Sequence, residues 1–224
     1  MNETILCCRT LEPEVRLAMK RCGKTAELIV LQENHHDVPR KLCRNIQEQL
    51  DCITDTDRVL MAFTHCGGAM AGLRSGDFQL VIPRVDDCLS LLMGSMEKRK
   101  AALGGEFGVF VTERWMNHEK GIEEELNRIY RTYPAKRAER VIRAMYGNFS
   151  SLNVIDTGAY DLNDILPRTR EVADRLQLKH RIVEGTTEYL EALLQGPHDP
   201  ARFIVIPSHT TVTESDTWLH FPGT

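Results

Sequence analysis

The stretch Glu-Thr-Ile-Leu-Cys-Cys at residues 3–8, the helical segment 12–22 and the run Ala-Glu-Leu-Ile-Val-Leu at 26–31 decide the fold. The first and last of these have the length and apolar character of buried strands, and the helical periodicity between them ends at Gly23. A strand, a helix and a second strand in this order predict parallel pairing through a right-handed crossover. The chain therefore begins as an α/β protein.

The same alternation continues through the N-terminal half. A helix that carries Leu42, Ile46 and Leu50 on one face precedes the third strand. A further helix runs from about residue 86 to Leu103, with an interruption at Gly94 and Ser95. The later strands of this half are predicted at 57–63, 78–82 and 106–112.

The C-terminal half repeats the alternation on a smaller scale, with predicted strands at 152–156, 180–184 and 203–206. A helical segment, which breaks near Pro134, precedes it. We therefore predict two Rossmann-like α/β lobes with mainly parallel sheets, the first larger and the second smaller. The predicted divisions are an N-terminal lobe with the Cys site at 1–116, a helical connection at 117–147 and a C-terminal lobe at 148–224.

The composition is that of a globular protein, with 42% hydrophobic and 27% charged residues and a net charge of −4. This charge provides no basic face for nucleic acid, and the arginines of 117–147 alternate with glutamates as on a solvated helix face. No segment has the ~20 apolar residues of a membrane span, and the first residues do not resemble a signal peptide. We therefore expect a cytoplasmic protein whose seven cysteines remain reduced.

Four residues with metal-binding side chains follow four successive predicted strands. Cys7 ends the first strand, His36 follows the second, Cys66 follows the third, and Cys88 lies in the first turn of the helix after the fourth. Because ligands bind outside the carboxyl ends of parallel strands, we predict that these residues share one site. The alternative is that the thiols are packing residues, since free Cys is commonly buried. Besides Cys8, which is next to Cys7, the other cysteines fall on the helices or the opposite end of the sheet, at positions 22, 43 and 52.

The residues around the predicted site suit a bound ligand. Gly67 and Gly68 permit close approach of a ligand to the backbone, and Arg84 can grip an anion or stabilise a thiolate. Asp86 and Asp87 are candidate helix caps, although their charge opposes ionisation of a nearby thiol. The glycine-rich loop lacks the Rossmann phosphate fingerprint and the P-loop lysine.

The predicted donors leave several kinds of chemistry open. Three thiolates, alone or with an imidazole, suit zinc best, and an iron–sulfur cluster, cobalt or nickel also remain open. A metal-free enzyme would use Cys66 or Cys88 as nucleophile, with His36 or His65 as base. A non-catalytic binding protein is a third reading. The chain has no Cys-x-x-Cys and no Gly-x-Ser-x-Gly, so the site prediction depends on topology and not on a motif.

Several short motifs resemble the family known as domain of unknown function 1638. The resemblance covers most of residues 3–116 and includes a first-strand Cys, a His-Asp-x-Pro loop, a Cys-Gly, a Pro-Arg-x-x-Asp-Cys turn and a Gly-Ser. In this chain the motifs are Cys7, His36-Asp37-Val38-Pro39, Cys66-Gly67, Pro83-Arg84-Val85-Asp86-Asp87-Cys88 and Gly94-Ser95.

The chain departs from the family pattern in two places. Phe63-Thr64-His65 stands where the family usually has Tyr-Gly-Leu, and Asp86 stands where a His commonly precedes Asp-Cys. His65 is a candidate replacement for the donor lost at that position.

The family that the chain resembles looks like a companion of anaerobic corrinoid-dependent methyltransferase systems. The resemblance therefore implies a role in one-carbon metabolism, near a corrinoid cofactor, a corrinoid protein or a methyltransferase. From the residues themselves we predict anion or substrate contacts at Arg84, His65, Ser95 and the two glycines of the loop. Whether the protein is catalytic, which small molecule it takes and whether it forms a homo-oligomer stay open.

Overall fold

The computed structural model describes residues 2–32 and 38–217, which divide into two compact units. Unit 1 comprises Met1–Met96 and Thr187–Thr224, and unit 2 comprises Glu97–Thr186. A five-stranded, mostly parallel sheet forms unit 1, and a three-stranded parallel sheet forms unit 2. The predicted fold class, with a larger first and a smaller second α/β lobe, is confirmed.

The elements alternate along the chain as the apolar pattern predicts. The strands are β1 (Glu3–Cys8), β2 (Glu27–Leu31), β3 (Arg58–Ala62), β4 (Gln79–Pro83), β5 (Gly108–Val111), β6 (Ser151–Asp156), β7 (Lys179–Glu184) and β8 (Phe203–Ile206). The helices are α1 (Glu12–Cys22), α2 (Pro39–Leu50), α3 (Cys88–Leu92), α4 (Met96–Leu103), α5 (Glu113–Met116), α6 (Ile122–Thr132), α7 (Ala135–Tyr146), α8 (Leu166–Leu176), α9 (Glu188–Gln195) and α10 (Glu214–Thr217).

The sheet of unit 1 has the strand order β2-β1-β3-β4-β8. Strands β1 to β4 pair in parallel, whereas β8 pairs antiparallel to β4 at the edge. Strand β2 pairs with β1 on one side, and the chain then returns so that β3 pairs with β1 on its other side. This reversal creates a topological switch point between the carboxyl ends of β1 and β3, the place where open α/β sheets form a ligand crevice.

Local signals explain where the helices of unit 1 begin and end. Gly23 ends α1 in the left-handed conformation, with φ of 62°. The predicted stripe of Leu42, Ile46 and Leu50 is buried along α2. Gly94, with φ of 84°, separates α3 from α4 and confirms the predicted interruption. Among residues 2–32 and 38–217, no helix combines the length and apolar character needed to cross a bilayer.

Unit 2 has the strand order β5-β6-β7, and its helices α6, α7 and α8 contribute to one hydrophobic core on the sheet. Leu126, Ala138 and Val172 provide the helical side of this core, and Leu152 and Val154 of β6 provide the sheet side. The strands are added in one direction only, so this sheet has no reversal of strand order.

The unit boundaries differ from the predicted lobes in two strands. Strand β5, predicted to belong to the N-terminal lobe, pairs with β6 in unit 2. Strand β8, predicted to belong to the C-terminal lobe, pairs with β4 in unit 1. The predicted helical connection at 117–147 is part of the unit 2 core. An apolar run predicts that a strand exists, but long-range packing decides which strand it pairs with.

Candidate thiol site at the switch point of unit 1

Three cysteine-bearing segments reach the same edge of the unit 1 sheet. Because β1, β3 and β4 are parallel neighbours, their carboxyl ends lie side by side. Cys8 is the last residue of β1, Cys66 follows β3, and Cys88 begins α3 after β4. The predicted positions after strands one, three and four are therefore at one edge, next to the switch point.

Cys66 adopts an unusual backbone conformation at this edge. Its φ is 44°, and Gly67 and Gly68 follow with φ of 67° and 94°. A non-glycine residue in the left-handed region is uncommon and costs energy, so it occurs mainly where the surrounding structure imposes it. The hydroxyl of the fully buried Thr64 lies 3.1 Å from the Cys66 sulfur. The turn therefore holds this thiol in a defined position.

Cys8, which the sequence reasoning did not single out, is the first-strand thiol whose charge acts on Cys66. Burial raises the pKa of the Cys66 thiol to about 11, the hydrogen bond with Thr64 lowers it in part, and the charge of Cys8 raises it again. The Cys8 sulfur lies 2.9 Å from the hydroxyl oxygen of Thr10. Cys8 is 3% exposed, so this thiol is almost fully covered.

The predicted ligand Cys7 has different surroundings. Its sulfur donates a hydrogen bond to the carbonyl oxygen of Cys8 at 3.0 Å, and the residue is fully buried. Burial, then the charges of Cys8, Glu12 and Glu14, raise the pKa of Cys7 well above its usual range. Neighbouring strand residues point to opposite faces, which accounts for the separate environments of the two thiols. The alternation predicts that Cys7 and Cys8 point to opposite faces of the sheet. It does not predict which of the two thiols lies on the same face as Cys66.

Cys88 lies at the start of α3, and the predicted aspartate cap is present. The Asp87 carboxylate accepts a hydrogen bond from the Ser90 backbone N–H at 2.9 Å. The charge of Asp87 also raises the pKa of Cys66, so the loops after β3 and β4 lie close together. A hydrogen bond of 3.2 Å from the His65 N–H to the Val85 carbonyl joins the same two loops.

The predicted ligand His36 lies outside the described residues. The described residue nearest to it in sequence on the C-terminal side is Val38, and Pro39 then begins α2. A Cβ atom added to Gly67 would lie 3.5 Å from the Pro39 side chain. The start of α2 thus borders the Cys66 turn.

The other predicted contact residues have mixed positions. The Arg84 guanidinium donates to the carbonyl oxygens of Pro200 at 3.1 Å and Asp216 at 3.5 Å, and it lines a cavity of about 360 Å³. These contacts hold the segments on either side of β8 together. The anion-binding role of Arg84 stays a prediction. The His65 Nδ1 atom is buried and has no hydrogen-bond partner in the described part of the chain. Ser95 lies between α3 and α4.

The described residues do not complete a metal-binding set. Across 2–32 and 38–217, no group of three or more His, Cys, Asp or Glu side chains is arranged to hold a metal ion. The thiols after β1, β3 and β4 therefore need a further donor, or a closer approach to one another, before they can enclose a cation.

Comparison with known proteins places the chain in a family. A family model described as "Protein of unknown function (DUF1638)" matches residues 30–194. Cys66 and Cys88 lie within the matched segment, and Cys7 and Cys8 precede it. Comparison with curated proteins and with solved structures gave no match. Since the family model covers more than half of the 224 residues, the chain belongs to the domain of unknown function 1638 family.

Proposed function

We propose that the switch-point edge of unit 1 binds a thiophilic metal ion or an iron–sulfur cluster through Cys8, Cys66 and Cys88, with His36 as a further donor. The observation that supports this most is geometric: Cys8, Cys66 and Cys88 follow three neighbouring parallel strands at the switch point. The charge of Cys8 raises the pKa of Cys66, so a cation bound between the two thiols would favour their joint ionisation. Cys8 takes the position in this set that the sequence pattern gave to Cys7.

The raised pKa of Cys66 fits a ligand better than an unassisted nucleophile. A thiol with a pKa of about 11 is protonated at neutral pH and therefore a weak nucleophile. Metal binding displaces the proton and yields the thiolate. Zinc suits sulfur and imidazole donors best. An iron–sulfur cluster, cobalt and nickel are the alternatives that the proposal includes.

We propose that the bound ion serves one-carbon metabolism. A metal with an open coordination position activates a thiol or amine for methyl transfer. The chain's own contribution is the turn at Gly67 and Gly68, where positive φ values and the absence of side chains allow a substrate to approach the thiols. A corrinoid, a corrinoid protein or a methyltransferase is the proposed cofactor or partner, on the strength of the family resemblance alone.

Metal analysis of protein purified without oxygen tests the metal proposal. We expect about one metal equivalent per chain in the unmodified protein and less than about a tenth of that in Cys8→Ser/Cys66→Ser, because structural sites lose most of their affinity with two ligands gone. The matched control is Cys22→Ser/Cys52→Ser, which removes two thiols at the opposite edge of the sheet and should retain the metal. Negligible metal in all three proteins would end the proposal.

The backbone of Cys66 favours a second candidate, a metal-free thiol enzyme. A left-handed residue on a tight turn after a strand, followed by glycines, presents its side chain at the sheet edge as nucleophile turns do. This candidate requires a base, for which His65 and His36 are available, because the Cys66 pKa is raised. It predicts that Cys66 reacts with iodoacetamide faster at pH 7 than any other cysteine of the metal-free protein. A slower reaction than at exposed Cys52 would exclude it.

A further inference from the structure

We propose that unit 2 has its own ligand site, a cavity that binds a small molecule with a planar aromatic ring and a negatively charged carboxylate or phosphate. The cavity lies among α6, α7 and α8, and its volume of about 570 Å³ is in the range of ligand-binding clefts. All of its lining residues belong to unit 2, so the proposal is independent of the thiol site.

Aromatic side chains form one part of the cavity lining. Tyr130 of α6 is 41% exposed, which leaves part of its ring uncovered. Tyr146 donates a hydrogen bond to the Glu125 carboxylate, and its ring lies 6.1 Å from that of Phe149, centroid to centroid. These contacts hold two of the three rings before any ligand arrives. Rings so held favour a planar partner because little side-chain freedom is lost on binding.

Two arginines give the cavity its charge. The Arg175 guanidinium lies 5.4 Å from the centre of the Tyr130 ring and donates to the Asn127 side chain at 3.1 Å. Arg143 is exposed and forms no ion pair or hydrogen bond through its side chain with any residue that the structure describes. Glu139 is the single carboxylate among the lining residues. The lining is therefore net positive and suits an anion.

The arginines of α6 provide a contrast within the same unit. Arg128 pairs with Glu125 at 3.5 Å, and Arg131 pairs with Glu124. A solvated helix face with compensating charges explains those residues. Arg143 lines a cavity and has no such carboxylate partner among the described residues, so the same explanation does not apply to it.

Interaction with helix dipoles is the competing account of the two arginines. Arg143 and Arg175 lie in the last turns of α7 and α8, where cations stabilise the helix ends. This account predicts a small loss of stability when either is removed and no ligand binding. It does not explain why three aromatic rings line the same cavity, so ligand binding separates the two accounts.

Calorimetric titration of the full chain tests the site with four probes. AMP and 4-aminobenzoate carry a ring with an anionic group, adenosine carries the ring alone, and inorganic phosphate carries the charge alone. We expect at least one of the first two to bind with Kd below about 1 mM, and the last two to bind at least about tenfold more weakly. The preference between AMP and 4-aminobenzoate distinguishes a phosphate from a carboxylate source.

Two variants and one control complete the test. Arg143→Gln and Tyr130→Leu should each weaken binding about tenfold, since each removes one contact to the ligand. Arg140→Gln changes an exposed arginine of the same helix that does not line the cavity, and it should leave Kd unchanged. Failure of both ring-bearing anions to bind, equal affinity for AMP and adenosine, or an equal effect of Arg140→Gln would overturn the proposal.

Discussion

Units 1 and 2 are both built on parallel strands, yet their carboxyl edges differ. In unit 1 the strand order reverses between β1 and β3, whereas unit 2 adds β5, β6 and β7 in one direction. All seven cysteines lie within Met1–Met96, and none belongs to Glu97–Thr186. Strand order therefore gives unit 1, and not unit 2, the reversal at which open α/β sheets form a ligand crevice.

The glycines at the two edges show the same difference at atomic scale. A Cβ added to Gly68 of unit 1 would meet nothing within 4 Å. A Cβ added to Gly185, directly after β7 of unit 2, would lie 2.5 Å from the Ile155 side chain and 3.1 Å from the Asp156 carbonyl oxygen. The edge of unit 1 is thus open at its glycines, and the edge of unit 2 is filled by its own residues.

The largest expected effect is on the core of unit 2. Leu126→Ala removes a fully buried side chain from a cluster whose members all lie in unit 2, and we expect it to cost about 3 kcal/mol. Hydrogen exchange followed by mass spectrometry should show faster exchange in peptides from 97–186 than in those from 2–32 and 38–96. The matched variant Leu60→Ala, in the unit 1 sheet, should show the reverse. Equal acceleration in both units would contradict separate cores.

The second effect concerns the thiols that set unit 1 apart. With its pKa at about 11, Cys66 should be alkylated by iodoacetamide at pH 7.5 about 100-fold more slowly than an ordinary thiol of pKa ~8.5. Exposed Cys52 is the internal reference. Peptide mass spectrometry at several time points gives both rates, and the Cys66 rate should rise with pH up to about 11. Alkylation rates of Cys66 and Cys52 within threefold of each other would contradict the raised pKa of Cys66.

The third effect measures the difference between the two glycine edges. Gly185→Ala should destabilise the protein by about 2 kcal/mol, because the added methyl group overlaps Ile155 and Thr157. Gly67→Ala has room for the methyl group, with the nearest atom at 3.5 Å, and should cost only about 1 kcal/mol for its φ of 67°. Urea titration of both variants measures the costs. A larger cost at Gly67 would reverse the assignment of open and filled edges.

The smallest effect is the pH response of unit 2. Burial, followed by Arg170, lowers the pKa of His180 below its ordinary 6.5. The unfolded chain therefore binds the proton more readily, so this stability is present above pH 6.5 and is lost as the pH falls below it. We expect less than about 0.5 kcal/mol, because the ring is partly exposed.

Thermal unfolding at pH 7.5 and pH 5.5 measures that loss. His180→Gln should reduce the difference between the two pH values, since glutamine does not titrate. An unchanged difference would assign the pH response to other groups.

Local signals predicted most of the fold. Strand β1 and helix α1 were predicted with the bounds that the structure shows, because an apolar run and Gly23 mark their limits. The pairing of β5 with β6 and of β8 with β4 was not predictable, since residues distant in sequence decide which sheet a strand joins.

The sequence predicts the sheet edge at which the candidate site lies, but it does not predict which side chains form the site. The order of strands and cysteines placed Cys66 and Cys88 at the carboxyl edge. The choice between Cys7 and Cys8 depends on which face of β1 each side chain occupies, which is a tertiary property. Arg84 was predicted to contact an anionic ligand. Its guanidinium donates to the carbonyl oxygens of Pro200 and Asp216, which are remote in sequence, and such contacts cannot be predicted from local sequence.

Unit 2 interrupts unit 1 in sequence, and this has a consequence for synthesis on the ribosome. All three strands of unit 2 are made before β8, which completes the sheet of unit 1 by pairing with β4. Unit 2 can thus assemble from contiguous chain, while unit 1 waits for its last strand. A chain that stops at Thr186 lacks both α9 and β8, and it leaves β4 as an unpaired sheet edge, the kind of surface that promotes aggregation.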